Sequence, residues 1–158
     1  MTGSKTTPES ARIEIRPAEE ADVEAILRLY ALPEFDNGRT LPPAAARERF
    51  ARTRLYPDYR FYVCAAEGRI VGTYSLLVME KIVQMGAVAG IVDDVIVEPS
   101  WRGQGIGTRM MRDAMARCRE KGCYKMALST NVKRAEAHRF YESLGFVRHG
   151  YSFIVELP

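Results

Sequence analysis

Metal-binding and disulfide-forming side chains are scarce in this sequence: its 158 residues include only two histidines and three cysteines. His138 and His149 are too far apart for a helical zinc pair, and no metal motif is present. Cys64, Cys118 and Cys123 form no CxxC pair, and their odd number leaves one over in any disulfide scheme. Free thiols in a reducing compartment follow, so the expected location is cytoplasmic. An excess of one charge is also lacking. The 23 Lys and Arg nearly balance 20 Asp and Glu, leaving a net charge of +3. That is not the basic footprint of a nucleic-acid binder, although it suits a small anionic ligand. Charged residues interrupt every apolar run well short of the roughly 20 residues a membrane helix needs. Residues 1–11 have no apolar stretch of the kind a secretory signal carries, and they read as a flexible tail. Residues 12–158 read as one domain, long enough to bury a core.

What is present is an ordered series of short elements. Residues 13–16 alternate apolar and polar as a strand does, and Val23, Ile26, Leu27 and Tyr30 recur at helical spacing until Pro33. Pro42-Pro43 opens a second helix over 43–54. Residues 61–66 and 70–79 read as a hairpin around Glu67-Gly68. A strand rich in Val and Ile follows over 87–97, then a helix over 105–121 stopped by Gly122. A short strand at 125–129, a helix at 134–144 and a final strand region at 146–157 complete an α+β domain.

The first chemical signal lies between that central strand and its helix. The segment Glu98-Pro99-Ser100-Trp101-Arg102-Gly103-Gln104-Gly105-Ile106-Gly107 ends a strand, turns on glycines and starts a helix. Glycine lets backbone approach a ligand closely, and a helix start offers unpaired N–H groups and a positive dipole end to an anion. Arg102 adds a forked cation. A Walker loop would close on Gly-Lys-Ser/Thr, but Gly107 is followed by Thr108-Arg109; the dinucleotide fingerprint needs glycine where Thr108 stands. The residues alone leave open a different phosphate ligand or a plain structural turn.

The second signal runs from Ser129 to Phe146. Taken alone, Tyr141 reads as a core aromatic with its hydroxyl at the rim. Taken together, the two segments resemble the GNAT acetyltransferase superfamily. Val95-Ile96-Val97-Glu98-Pro99 and the loop after it are similar to that family's Val-x-Val-x-Pro strand end and Arg/Gln-x-x-Gly-x-Gly/Ala loop. Asn131, Ala137, Phe140, Tyr141, Gly145 and Phe146 match its Asn…Ala-x-x-Phe-Tyr-x-x-x-Gly-Phe pattern. The resemblance implies a mixed, mainly antiparallel sheet flanked by helices, with acetyl-CoA as co-substrate. It implies that Arg102, Gly103 and the amides of Gln104, Gly105, Ile106, Gly107 and Thr108 hold the pyrophosphate. Val95, Ile96 and Val97 would then pair with the pantetheine amides as an added strand does. Asn131, Arg134, Ala137 and Phe140 would complete the CoA site, and Tyr141 would be the general acid.

Amine acetylation also needs a base, because an alkyl amine with pKa near 10.4 is protonated at neutral pH. Asp93 and Asp94 interrupt an apolar strand. Regular alternation sends them to opposite faces, so only one would reach a cleft unless a bulge intervenes. By resemblance Asp94 is the expected base. For the acceptor, residues 129–134 and 137–141 resemble aminoalkylphosphonate N-acetyltransferases, whereas Asp94-Val95-x-Val97 together with Gly122-Cys123-Tyr124-Lys125 resembles glucosamine-6-phosphate N-acetyltransferases. A small primary amine carrying a phosphorus-type anion is therefore expected, with a homodimer as the assembly. Lys133 and Arg134 would reach the substrate, the CoA phosphates or only water, and His149 and Tyr151 would line the pocket. Two other readings share the cofactor motifs: a protein or peptide N-acetyltransferase, and a non-catalytic CoA-binding regulator.

Overall fold

The computed structural model describes residues 12–158; the tail expected over residues 1–11 lies outside them. The elements follow in chain order as β1 (Ile13–Pro17), α1 (Val23–Tyr30), α2 (Pro43–Thr53), β2 (Tyr59–Ala66), β3 (Arg69–Glu80), β4 (Val88–Val97), α3 (Ile106–Glu120), β5 (Cys123–Ala127) and α4 (Ala135–Ser143). The strands form one sheet in the order β1-β2-β3-β4-β5, with the first four antiparallel and β5 parallel to β4. The parallel step requires a crossover, and α3 supplies it.

Each face of the sheet has its own core. Ile106, Met110, Met111, Ala114 and Cys118 recur along one side of α3 and pack on Tyr62, Cys64, Tyr74, Leu76 and Val92. Ile26 and Leu29 of α1 cover Val63, Ile70 and Ile96 on the opposite face. The chain start is fastened by a forked pair, in which Arg16 donates to both carboxylate oxygens of Asp22 at 2.6 and 2.9 Å.

The central strand β4 is irregular. Val92 and Ile96 are an even number of residues apart and would share a face in a regular strand. Instead Val92 belongs to the α3 core and Ile96 to the α1 core. The cause is a bulge: Ser75 pairs with Asp93 and Thr73 with Ile96, so Asp94 and Val95 together oppose Tyr74. Asp94 takes up the extra residue in the left-handed region, with φ 52°.

The sheet stops at β5. No strand forms over 146–157 within the described chain, which corrects the expected final strand region. Alternation alone does not make a strand, because its backbone groups need a neighbouring edge and this segment bonds to none. Val147, Tyr151, Phe153, Ile154, Val155 and Leu157 are all exposed.

Candidate active site

β4 and β5 pair only as far as Ile91 with Ala127. Beyond that point they part, and a small cleft of about 50 Å³ opens between residues 92–95 and 128–130, with Phe35, Arg134 and Tyr141 closing it. From Val92 to Val97 the β5 side of β4 has no strand partner among the described residues, so its backbone groups are available to an extended amide chain.

The bulge changes which carboxylates reach this cleft. Alternation would admit one of Asp93 and Asp94, yet both line it. The Asp93 carboxylate accepts the Asp94 backbone N–H at 2.9 Å, while Asp94 accepts a longer contact of 3.4 Å from the Ser75 hydroxyl. Burial, reinforced by the charge of Asp93, holds the Asp94 carboxyl above the usual carboxylate range. This environment makes Asp94 a stronger base than a free carboxylate.

Tyr141 faces the same cleft from α4, its ring set against Phe140 and Phe146 at centroid distances of 5.1 and 5.6 Å. Burial raises its phenol above the ordinary value, opposed by Arg134 and assisted by Asp93. A protonated phenol and a carboxylate thus meet in one cleft, the pair that proton transfer at both ends of an acyl transfer requires.

The glycine loop adjoins this pair. Gly105, with φ 81°, caps the start of α3, and Gly103 is also left-handed, with φ 72°. A Cβ at either would meet nothing within 4 Å, so the space over these amides is open to a ligand. Gly107 instead makes room for an aromatic ring, since a Cβ there would stand 3.1 Å from Cζ of Phe140. The two sequence signals therefore touch, Phe140 of the second packing on the backbone of the first. Arg102 donates through Nε to the Val97 carbonyl at 2.9 Å and pairs with Glu34, while Gln104 donates to the Ser100 carbonyl at 2.9 Å. Ile106 is buried as the first anchor of α3, whereas Thr108 is half-buried.

Asn131 is exposed. Its Oδ1 accepts the Lys133 N–H at 2.9 Å, and its carbonyl accepts both the Arg134 N–H and the His138 ring at 2.9 to 3.0 Å, which shapes the turn into α4. Ala137 is half-buried on the same helix. Tyr151 and His149, expected at the pocket, are exposed and do not line it. Burial pushes the Cys64 thiol up to about 11, and Cys64, Cys118 and Cys123 are free thiols. Among the described residues no cluster of His, Cys, Asp or Glu could hold a metal, and no helix is long and apolar enough to cross a membrane.

The acetyltransferase (GNAT) family matches residues 23–146. The chain belongs to the GNAT acetyltransferase family. A glucosamine 6-phosphate N-acetyltransferase of Trypanosoma brucei brucei is 34% identical over 142 residues, covering 87% of this chain and 90% of that protein. An aminoalkylphosphonate N-acetyltransferase of Salmonella typhimurium is 31% identical, covering 89% and 88%. The solved structure of a Trypanosoma brucei acetyltransferase superposes with a TM-score of 0.79 at 32% identity, over 92% of this chain and 100% of that one. This GNAT chain is an N-acetyltransferase, and its co-substrate is acetyl-CoA. The residues fit that molecule: open left-handed glycines at a helix start suit a pyrophosphate, and the unpaired stretch of β4 suits amides.

Tyr30, Phe35, Ser75 and Thr130 are functional candidates that the sequence did not reveal. Tyr30 and Phe35 stack at 5.1 Å and also line an apolar hollow of about 500 Å³ bounded by α1, α2 and β2. The Tyr30 hydroxyl and Thr130 Oγ1 are buried without a hydrogen-bond partner. Burial and the nearby Asp94 charge keep the Tyr30 phenol well above its ordinary value. Tyr30 carried a signal only as a core position of α1, and Ser75 carried none, since its contact depends on the bulge.

The loop makes one prediction. A side chain at Gly105 must adopt a left-handed backbone, at roughly 1–2 kcal/mol, and it enters the open space above the amides. In folded Gly105→Val protein, affinity for acetyl-CoA should fall at least tenfold, about 1.4 kcal/mol, by calorimetric titration. Unchanged affinity would remove the loop from the CoA site.

Proposed function

We propose that this chain acetylates the primary amine of a small molecule bearing phosphate or phosphonate, acting as a homodimer in the cytoplasm. The observation that carries the chemistry is the convergence of Asp94 and Tyr141 on one cleft beside the unpaired edge of β4. Asp94 takes the proton of the amine, directly or through water, and Tyr141 returns one to the departing sulfur. The glycine loop from Arg102 to Thr108 receives the pyrophosphate, with Val95, Ile96 and Val97 along the pantetheine and Asn131, Arg134, Ala137 and Phe140 on its other side. The substrate class is supported by relatives named for glucosamine 6-phosphate and aminoalkylphosphonate, both above 30% identity across most of the chain.

A panel of amines incubated with acetyl-CoA, with release of free thiol as the readout, tests this reading. Turnover is expected with glucosamine 6-phosphate or an aminoalkylphosphonate. Turnover confined to uncharged arylamines or to histone peptides would overturn the substrate class, the latter in favour of a protein acetyltransferase. Acetyl-CoA binding without turnover on any amine would point to a CoA-binding regulator.

A further inference from the structure

The apolar hollow of about 500 Å³ bounded by α1, α2 and β2 is large enough for a small molecule. Val23, Ile26 and Leu27 of α1, Ala46 and Phe50 of α2, and Phe61 of β2 form its walls. The positions on each helix recur at helical spacing, so the apolar stripes of α1 and α2 both face the hollow. At one end the hollow adjoins the cleft of Asp94 and Tyr141, because Phe35 is a wall of both. Tyr30 stacks on Phe35 at 5.1 Å and lines the hollow, while its phenol is close enough to Asp94 to feel that charge. The Tyr30 hydroxyl is buried and has no hydrogen-bond partner among the described residues. Elsewhere the walls offer little to a polar guest. The Thr53 hydroxyl already donates to the Phe50 carbonyl at 2.7 Å, and Arg39, Thr40 and Arg49 are exposed where the hollow meets solvent. Arg49 makes no ion pair among the described residues.

We propose that this hollow receives the carbon skeleton of the acceptor, and that the skeleton is alkyl or aryl rather than a polyhydroxylated sugar. Its amine lies at Tyr30 and Asp94, and its anion at Arg49. The proposal rests on the reading of the acceptor as an amine bearing phosphate or phosphonate, and it chooses between the two kinds of molecule that reading admits. Desolvation makes the choice. Each sugar hydroxyl entering the hollow exchanges water for hydrocarbon walls without a compensating hydrogen bond. An alkyl or aryl skeleton has no such loss, and it gains contact with Phe50 and Phe61, whose ring centroids are 6.0 Å apart. The polar ends of the acceptor have places of their own. Burial keeps the Tyr30 phenol protonated, and its unpartnered oxygen accepts a hydrogen bond from the ammonium group, which passes a proton to the Asp94 carboxylate. The guanidinium of Arg49 stands at the solvent side, where an anion pairs with its donor fork while keeping part of its hydration. The hollow thus reads the acceptor as amine, apolar spacer and anion.

Thiol release by the parent protein, with acetyl-CoA and a series of ω-aminoalkylphosphonates of increasing chain length, tests the skeleton. kcat/KM should rise roughly fourfold for each added methylene until the hollow is filled. A phenyl-substituted aminoalkylphosphonate should exceed glucosamine 6-phosphate by about tenfold or more. Two variants test the place. Ala46→Leu narrows the hollow and should abolish the preference for long chains. Arg49→Gln should shrink the difference in KM between each phosphonate and the uncharged alkylamine of the same length. A flat series, or glucosamine 6-phosphate turned over better than every aminoalkylphosphonate, overturns the apolar skeleton and leaves the phosphate-or-phosphonate reading intact. A preference for long chains that folded Ala46→Leu protein retains puts the skeleton elsewhere and also overturns the inference. If Ala46→Leu does not fold, Arg49→Gln decides, because Arg49 is exposed and its replacement leaves the core untouched. An unchanged difference in KM then rejects the hollow. Turnover of no phosphorus-bearing amine overturns both the inference and the reading it rests on.

Discussion

Replacing Tyr141 by phenylalanine is expected to lower kcat by roughly 10²–10⁴-fold, the usual contribution of a general acid. The ring packs against Phe140 and Phe146, contacts that phenylalanine keeps, so the loss should fall on chemistry rather than folding. A departing thiolate has a solution pKa of about 8.5 and an ordinary phenol about 10, so proton transfer between them is uphill by about 2 kcal/mol. Burial raises the Tyr141 phenol further and widens that gap. In the proposed role Tyr141 would act by hydrogen bonding to charge that develops on sulfur and would donate its proton late. Because this interaction belongs to the transition state, the KM for acetyl-CoA should hardly change. The pH profile gives an independent readout. The parent rate should fall at high pH as the phenol ionises, at a pH above the ordinary tyrosine value, and the variant should lack that limb. Parent-like turnover by folded Tyr141→Phe protein would mean that sulfur takes its proton from water.

The parts of this architecture that local pattern dictates were legible in the sequence. Apolar spacing marks the face of α3, Pro42-Pro43 the start of α2, and Glu67-Gly68 the turn between β2 and β3, where Glu67 and Gly68 both have positive φ. The backbone of the glycine loop was legible in residue type: Gly103 and Gly105 occupy left-handed positions that side chains avoid. Pairwise geometry was less accessible. Nothing local announces that Phe140 rests on Gly107, or that Ser75 reaches Asp94, because both contacts join segments far apart in the chain. The segment 146–157 shows the complementary limit. Its alternation is real, but strand formation depends on an available edge, and that is a property of the assembled sheet. Residue type also did not distinguish the roles of Asp93 and Asp94. The bulge made that distinction by turning both toward one cleft while burying one of them more deeply.

Asp94→Asn should be comparably damaging, lowering kcat/KM for the amine by about 10²–10⁴-fold near neutral pH. At pH 7 an alkyl amine lies about three units below its pKa, a deficit of ~4 kcal/mol that a base must help to cover. The environment of Asp94 makes it a stronger base than an exposed carboxylate, through burial first and the charge of Asp93 second. The sign of the pH dependence follows. As pH falls through the raised pKa, Asp94 takes up a proton and the rate declines, so the acid limb should lie above the usual carboxylate range. Asparagine is the informative replacement because it tolerates the left-handed backbone that Asp94 adopts at φ 52°, so the bulge should survive. Asp93→Asn is the control. Its amide oxygen can still accept the Asp94 N–H, preserving the local turn, but the neighbouring negative charge is gone. The Asp94 pKa should then drop and the acid limb move to lower pH, with only a modest loss of maximal rate. Asp94→Asn protein with the parent's rate and profile would exclude Asp94 as the base. If instead Asp93→Asn abolished activity and Asp94→Asn did not, the base would be Asp93, the other carboxylate that the bulge brings to the cleft.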